Sequence, residues 1–417
     1  MCSVLELSSG LETTVNAAVT TYFELKEGTN INNATEANAQ ITRRSSGKSS
    51  GLYIRVITNT VTATSTLTSR KNAGAGAQTV SIGSSATGEF RDTTNTDTIA
   101  AADKFNARLV TGSTGTSMVI TLIGHIFSAD SGTVKKHGAK PSGTLNNAST
   151  LFQCLSNAGN SETTESNAQW KARCSCTAKN YLINVSANAT TVATTFTFRK
   201  NTANGNMTMS VGAGATGIFE DTTHTDSIVS GDLINNQISP TNTGTGITFT
   251  ALGPEIFHQD GFCHVIAGGK TSAVLGLSVT NYVAPGGTCN TAETTESRNQ
   301  ALAQVPYIAS FMQITIETNT ITATTTIRFR KNAGNGNQVI SVGSSATGKF
   351  EDTTHTDTVL ATDEINYQIV TGGTGTSIQP ASFGHLATLD PLIGWMNNID
   401  KVSEPWNALN KVEIVGY

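Results

Sequence analysis

Hydrophobic and polar residues alternate with a period of two through long stretches of this chain. Residues Phe311 to Arg330 (FMQITIETNTITATTTIRFR) bring Ile314 and Ile316, then Ile321, Ala323, Thr325, Ile327 and Phe329, to one side around a Thr-Asn-Thr turn. Tyr53 to Arg70 and Tyr181 to Arg199 repeat the pattern. Successive side chains of a strand point to opposite faces, so this spacing predicts paired strands with one face in a core and a threonine-rich face half exposed. Val80 to Ile82 predicts another strand, and further ones open at Ile99, Ile228 and Val359. After polar corners at Asp103, Asp232 and Asp363, strands are expected over Phe105 to Val110, Ile234 to Ile238 and Ile365 to Val370. Only the segment near Glu36 to Gln40 and its equivalents read as short helical turns. About eight strands in about 130 residues, separated by Gly/Asn turns, predict an antiparallel sandwich of jelly-roll type.

That pattern occurs three times. SRKNAGAGAQTVSIGSSATGEFRDTTNTD begins at Ser69, FRKNTANGNMTMSVGAGATGIFEDTTHTD at Phe198, and FRKNAGNGNQVISVGSSATGKFEDTTHTD at Phe329. Lys71, Lys200 and Lys331 mark the common register. TEANAQ at Thr35, TESNAQ at Thr164 and TESRNQ at Thr295 keep the same spacing. A unit of this length is far longer than a solenoid repeat and can bury a core of its own. The expected organisation is three domains, at residues 1–130, 131–260 and 261–386, followed by a C-terminal arm at 387–417. Ser128 to Gly143 (SADSGTVKKHGAKPSG) and His258 to Ser272 (HQDGFCHVIAGGKTS) read as Gly-rich linkers long enough to cross a module face. Fusion lets the copies diverge: only the first has Arg43-Arg44, and only the second has Cys174-Ser175-Cys176.

Composition narrows the function. Charged residues are 13% of the 417 and the net charge is −4, which excludes the clustered basic face a nucleic-acid binder needs. No apolar run is long enough for a membrane-spanning helix. The stretch from Met1 to Tyr22 lacks the basic and apolar regions of a secretory signal, and six cysteines are too few for a disulfide scaffold, so synthesis in a reducing cytosol is expected.

The order of these motifs (an R-K-N turn, G-x-T-G-x-F, D-T-x-x-T-D, an x-x-D corner and T-G-G-T-G-T-S-I) resembles the C1q/TNF-like jelly rolls of bacterial and bacteriophage structural proteins. Arg330-Lys331-Asn332 and Ser230-Gly231-Asp232 carry the likeness, with Ala102 and Thr362 replacing the corner glycine in the other copies. That family trimerises around a threefold axis, so the resemblance implies a pseudo-trimer built from one chain. Tethering would raise the local concentration of neighbouring modules to about millimolar.

Candidate chemistry is sparse. Asp221, His224 and Asp226, with Asp352, His355 and Asp357, belong to Asp-Thr-Thr-His-Thr-Asp segments; the first copy has Asp92 to Asp97 with Asn95 in place of His. These could supply oxygen ligands to calcium or a histidine pair to zinc, or form Asx turns that cap backbone N–H groups; the turn is the expectation, because Asn95 spoils a three-histidine site. Cys154, Cys174, Cys176 and Cys263 lack paired C-x-x-C spacing and read as buried thiols. His125 and His385 hold equivalent positions where the second copy has Pro254, and read as ordinary satisfied or exposed histidines. No nucleophile elbow, phosphate cradle or paired catalytic carboxylates are found, so no catalytic residue and no cofactor are expected. Trp395 and Trp406 in the tail are the candidate anchors of an arm gripping a neighbouring subunit or particle; alternatively the tail closes the third roll.

The expectation is a non-enzymatic virion structural protein. It would be most like a bacteriophage capsid decoration (cement) protein or head-fibre base, sitting at a (quasi-)threefold site and made in the host cytoplasm. Its partners would be the major capsid protein or other virion proteins, with self-association possible in principle and neither nucleic acid nor membrane involved. The alternatives are a tail-fibre protein that recognises host glycans, or a subunit of an extracellular filament.

Overall fold

The computed structural model describes residues 3–28, 32–141, 143–145, 149–156, 158–159, 161–240, 244–258, 263–268, 274–286 and 293–389. Nearly all regular structure among them is β-strand, and short helical turns occur at Glu36–Ala39, Glu165–Ala168 and Glu296–Arg298. The first repeat supplies β1 (Ser3–Asn16), β2 (Thr20–Glu24), β3 (Ile41–Thr42), β4 (Gly47–Val61), β5 (Ser65–Lys71), β6 (Gly74–Ile82), β7 (Gly88–Arg91), β8 (Thr96–Ile99), β9 (Lys104–Val110) and β10 (Gly115–Ala129). One sheet runs β1-β10-β4, with β7 and β8 both on the far side of β4. The other runs β2-β9-β5-β6, with β3 also against β9. With β7 and β8 counted as one interrupted strand, the first strand lies beside the last and the second beside the last but one. That nested antiparallel pairing is a jelly roll.

The same order recurs twice. In the second repeat Thr133–Lys136, Gly244–His258, Cys176–Thr190 and Gly217–Ile228 form one sheet, and Leu151–Gln153, Leu233–Pro240, Thr194–Lys200 and Ala203–Val211 the other. In the third, Cys263–Gly268, Gly375–Thr388, Tyr307–Ile321 and Gly348–Val359 face Thr280–Val283, Glu364–Val370, Thr325–Lys331 and Gly334–Val342. The chain is therefore all-β, three tandem jelly rolls. Each has its own core: Ile54, Leu67, Phe105 and Ile120 in the first, Ile183, Phe196, Phe198 and Phe249 in the second, Ile314, Ile327, Phe329 and Ile369 in the third. Burying each such side chain contributes roughly 1.5–3 kcal/mol.

The segments expected as linkers are different. Thr133–Lys136 and Cys263–Gly268 are the opening strands of the second and third rolls, paired with Glu255–His258 and Phe383–Thr388. Thr133 to Lys136 escapes the period-two signal because all four residues are buried, two of them lysines: Lys135 pairs with Glu27, and Lys136 donates to the carbonyls of Asn180 and Gly253. The Asp-Thr-Thr-His-Thr-Asp segments also lie within the continuous strands Gly217–Ile228 and Gly348–Val359, whereas Asp92 to Asn95 interrupts the equivalent strand of the first roll.

The repeated motifs assemble into a joint between rolls. Asn72 and Ala73, Asn201 and Thr202, and Asn332 and Ala333 all adopt positive φ, forming the two-residue hairpin turns after Lys71, Lys200 and Lys331. Each turn asparagine donates to the corner aspartate (Asp103, Asp232, Asp363) at 2.6 Å. The preceding arginines, Arg70, Arg199 and Arg330, grip Glu36, Glu165 and Glu296 with paired hydrogen bonds of 2.8–3.0 Å. These glutamates open the three helical turns, so each turn is pinned to its own roll. Its carbonyls then face the next roll. Asn184 Nδ2 donates to Ala37 O and Gln40 O at 3.1 Å, Lys349 Nζ to Gln169 O at 3.0 Å, and the Arg55 guanidinium to Ser297 O. Roll one thus meets roll two, two meets three, and three returns to one. Asn184 and Arg55 hold equivalent positions, as do Ala37 and Ser297, so the same patch pair is reused and closes. A heterologous contact that closes after three steps makes a ring. Salt bridges follow the same logic: Arg44–Glu220 at 2.6 Å, the equivalent Arg173–Glu351, and Arg55–Glu364 at 2.7 Å.

Candidate functional site

Three places hold the chemistry that the sequence singles out or conceals. The first is the aspartate motif. Asp221 accepts the backbone N–H groups of Thr223 and His224 in its own segment (3.1 Å each) and of Thr208 on the neighbouring strand (3.2 Å). Asp352 does the same with Thr354, His355 and Val339, and Asp92 with Thr94, Asn95 and Thr79. Burial raises the pKa of Asp221 and Asp352, but these N–H bonds outweigh it and hold both at about 2. Asp226 and Asp357 receive Asn206 N–H and Asn337 N–H at 2.8 and 2.7 Å. His224 and His355 are more than half exposed, each with Nδ1 about 3 Å from the aspartate three residues before it. The carboxylates thus cap backbone, as an Asx turn does. Among the described residues no cluster of three or more His, Cys, Asp or Glu side chains is arranged to hold a metal.

The second place is the junction of rolls one and two, where eight charged residues among those described are at most 1% exposed. Four are acids (Glu6, Glu24, Glu27, Glu255) and four are bases (Lys26, Arg43, Lys135, Lys136). Glu6 accepts from the Arg43 guanidinium, from His125 Nε2 at 3.0 Å, and from Lys136 N–H at 2.8 Å. Burial opposes its ionisation, but Arg43 and His125 overcome that and hold its pKa at about 2. Glu27 is the reverse case. Burial pushes its pKa to about 7, because Lys135 at 3.2 Å and Leu7 N–H at 3.0 Å only partly compensate. Lys136 is drawn down to about 8 by burial while its Nζ donates to Asn180 O and Gly253 O. His385 in the third roll, equivalent to His125, is buried among Tyr307, Phe329 and Tyr367, and burial lowers its pKa to about 3.

Sequence reasoning missed this cluster. Its one available signal is that copies alike elsewhere disagree here: Glu6 is matched by Lys135, and Arg43 by Ala172. Such buried pairs seldom add net stability over apolar residues, yet removing one partner costs about 3–5 kcal/mol. Among the described residues no such cluster recurs at the other two junctions. Cys174 and Cys176 line a small enclosed space with His137, Trp170, Arg173 and His258, and Cys174 Sγ lies 3.5 Å from His258 Nδ1. Trp395 and Trp406 lie outside the described residues.

The third place is one end of each roll. In the first roll, residues 16–20, 58–65, 83–88 and 110–117 meet there without one charged side chain. The same is true of 187–194 and 212–217 in the second roll, and of 276–280, 318–325, 343–348 and 370–377 in the third. Side chains lace these loops together. Asn59, Asn188 and Asn319 each donate to two carbonyls of the adjoining loop (Gly83 and Ala86, Gly212 and Ala215, Gly343 and Ala346). Thr62–Thr114 and Thr322–Thr374 close at 2.9 Å. Val19, Val110, Val192 and Val370 are exposed on this end. The opposite end of the first roll bears Glu36, Arg44, Arg70, Lys71, Asp103 and Lys104. Rolls related by rotation about one axis keep equivalent loops at one level, so the three uncharged ends share a face of the ring.

No protein-family model matches this sequence, and no curated protein is similar to it. Among the described residues, no helix is long and apolar enough to cross a membrane.

Proposed function

We propose that this chain is a virion structural protein of the capsid-decoration kind, which docks as a single-chain pseudo-trimer over a threefold or quasi-threefold site. The observation that carries the reading is the ring itself. Three equivalent uncharged ends, stiffened by interloop hydrogen bonds, lie at one level around a pseudo-threefold axis. A partner with local threefold symmetry would be met by all three at once, and simultaneous engagement multiplies weak single contacts. Small, uncharged side chains lose little rotamer freedom on docking and need no charged complement. Binding through this face is therefore expected to vary little between 50 mM and 500 mM salt, unlike a charge-steered complex.

The test is a cryo-electron-microscopy reconstruction of native particles from the source. Density for three rolls over capsid threefold positions, uncharged ends toward the shell, is the expected result. Density at tail tips would replace this reading with host-receptor recognition, and free filaments would replace it with a polymeric matrix.

A further inference from the structure

The two motifs repeated most faithfully, Lys-Asn-x-x-x-Gly and Asp-Thr-Thr-x-Thr-Asp, meet at one place in every roll. Among the described residues, β6 and its equivalents, Ala203–Val211 and Gly334–Val342, pair on one side only, with β5, Thr194–Lys200 and Thr325–Lys331. The other side of each is a sheet edge to which no described strand pairs, with the aspartate-bearing segment of the same roll running alongside it. An open edge presents unpaired N–H and C=O groups and is a template for another strand. Proteins ordinarily blunt such edges with charged residues or proline, and GAGAQTVSI, ANGNMTMSV and GNGNQVISV contain neither.

The aspartates take their place. Thr79, Thr208 and Val339 donate their N–H groups to Asp92, Asp221 and Asp352 at 2.8–3.2 Å. Two residues earlier, Ala77, Asn206 and Asn337 donate to Asp97, Asp226 and Asp357 at 2.6–2.8 Å. The alternation i, i+2 is that of the outward-facing groups of a strand. All six carboxylates are buried against the edge they cover. The repeated glycine fits the same geometry: a Cβ at Gly76, Gly205 or Gly336 would lie 2.7–2.8 Å from a carboxylate oxygen of Asp97, Asp226 or Asp357.

We propose that the paired aspartates of each Asp-Thr-Thr-x-Thr-Asp segment shut this edge against strand addition by a second copy of the chain. The occupant follows from the strands themselves. They carry no charge, so two copies of the edge meet without repulsion, and three edges per ring would let pairing propagate. Strand addition is a common mode of protein association. The carboxylates hold the N–H groups that an incoming strand needs.

The test removes the first aspartate of each pair, in D92A/D221A/D352A. With circular dichroism unchanged, sedimentation velocity is expected to show loss of the single-chain species as concentration rises. Amide exchange at Thr79, Thr208 and Val339 should quicken at least tenfold in dilute samples. Adding S81K/S210K/S341K, which sets an exposed lysine on each edge, is expected to restore the single-chain species. A folded aspartate variant that stays single at high concentration would overturn the proposal, as would assembly that the lysines leave untouched. Should the variant fail to fold, the wild-type chain decides. Its amides at Thr79, Thr208 and Val339 are expected to exchange at least tenfold below the unstructured rate, and exchange at the unstructured rate refutes the guard.

Discussion

Arg43→Met is the most informative single change. Arg43 is wholly buried, pairs with Glu6, and lies with its guanidinium carbon 4.3 Å from the Phe127 ring centroid. Methionine can fill much of that space, so the loss falls mainly on charge. Glu6 ionises at about 2 in the folded chain against 4.5 ordinarily. A carboxyl held below its unfolded value adds stability above pH 4.5 that is lost as pH falls toward 2. That gap corresponds to about 3 kcal/mol at pH 7 and less than half of it by pH 3. The variant is therefore expected to lose about 3–5 kcal/mol at pH 7, the usual result of stranding a buried charge. The assay is urea unfolding at pH 7 and pH 3, followed by hydrogen exchange on first-roll peptides so that this roll is read separately. E6L/R43M, which removes both charges, is expected to recover at least half of the loss. An equal penalty at both pH values, with no recovery in the double variant, would show that Arg43 acts by packing and not through Glu6.

Three further outcomes follow from the same geometry. Glu27, with its pKa raised to about 7, stabilises below pH 4.5 relative to higher pH, and the benefit drains away as pH rises to 7. E27Q/K135M should accordingly flatten the decline in urea midpoint between pH 5 and pH 8, and an unchanged slope would contradict the assignment. Asn184→Ala leaves the carbonyls of Ala37 and Gln40 without this donor at the seam; a cost of about 1–3 kcal/mol and faster exchange in peptides covering 36–40 are expected. Gly205→Ala drives a Cβ into the Asp226 carboxylate and should cost about 1–3 kcal/mol in urea unfolding, whereas Gly212→Ala, where a Cβ meets nothing within 4 Å, should cost far less.

The rolls were legible because their strands keep one apolar face. Ile314, Ile316, Ile321, Ile327 and Phe329 are all buried as the alternation requires. The bonds of Asp221 to Thr223 and His224 and of Asp352 to Thr354 and His355 follow local Asx chemistry, but their bonds to Thr208 and Val339 on a neighbouring strand are tertiary. The opening strands of rolls two and three were not legible. Lys135 and Lys136 look like a solvated linker until Glu27, Glu6 and the carbonyl of Gly253, all distant along the chain, are folded against them. Ring closure was hidden for the same reason. Asn184, Lys349 and Arg55 share no residue type, and they do one job because the carbonyls they meet have no side-chain identity. The glutamate in each Thr-Glu repeat and the arginine before each Lys-Asn turn were visible as repeats, but their bidentate pairing across 34 residues is a tertiary fact.

Small-angle X-ray scattering of the purified chain tests closure most directly. Rolls of about 130 residues have radii of gyration of about 14 Å, so three in a triangle give about 25 Å and three in an open row about 33 Å. The triangular value, raised by R55A, is the predicted result. The open-row value for the unaltered chain would mean that the rolls do not close on one another, and the shared docking face would be lost with the ring.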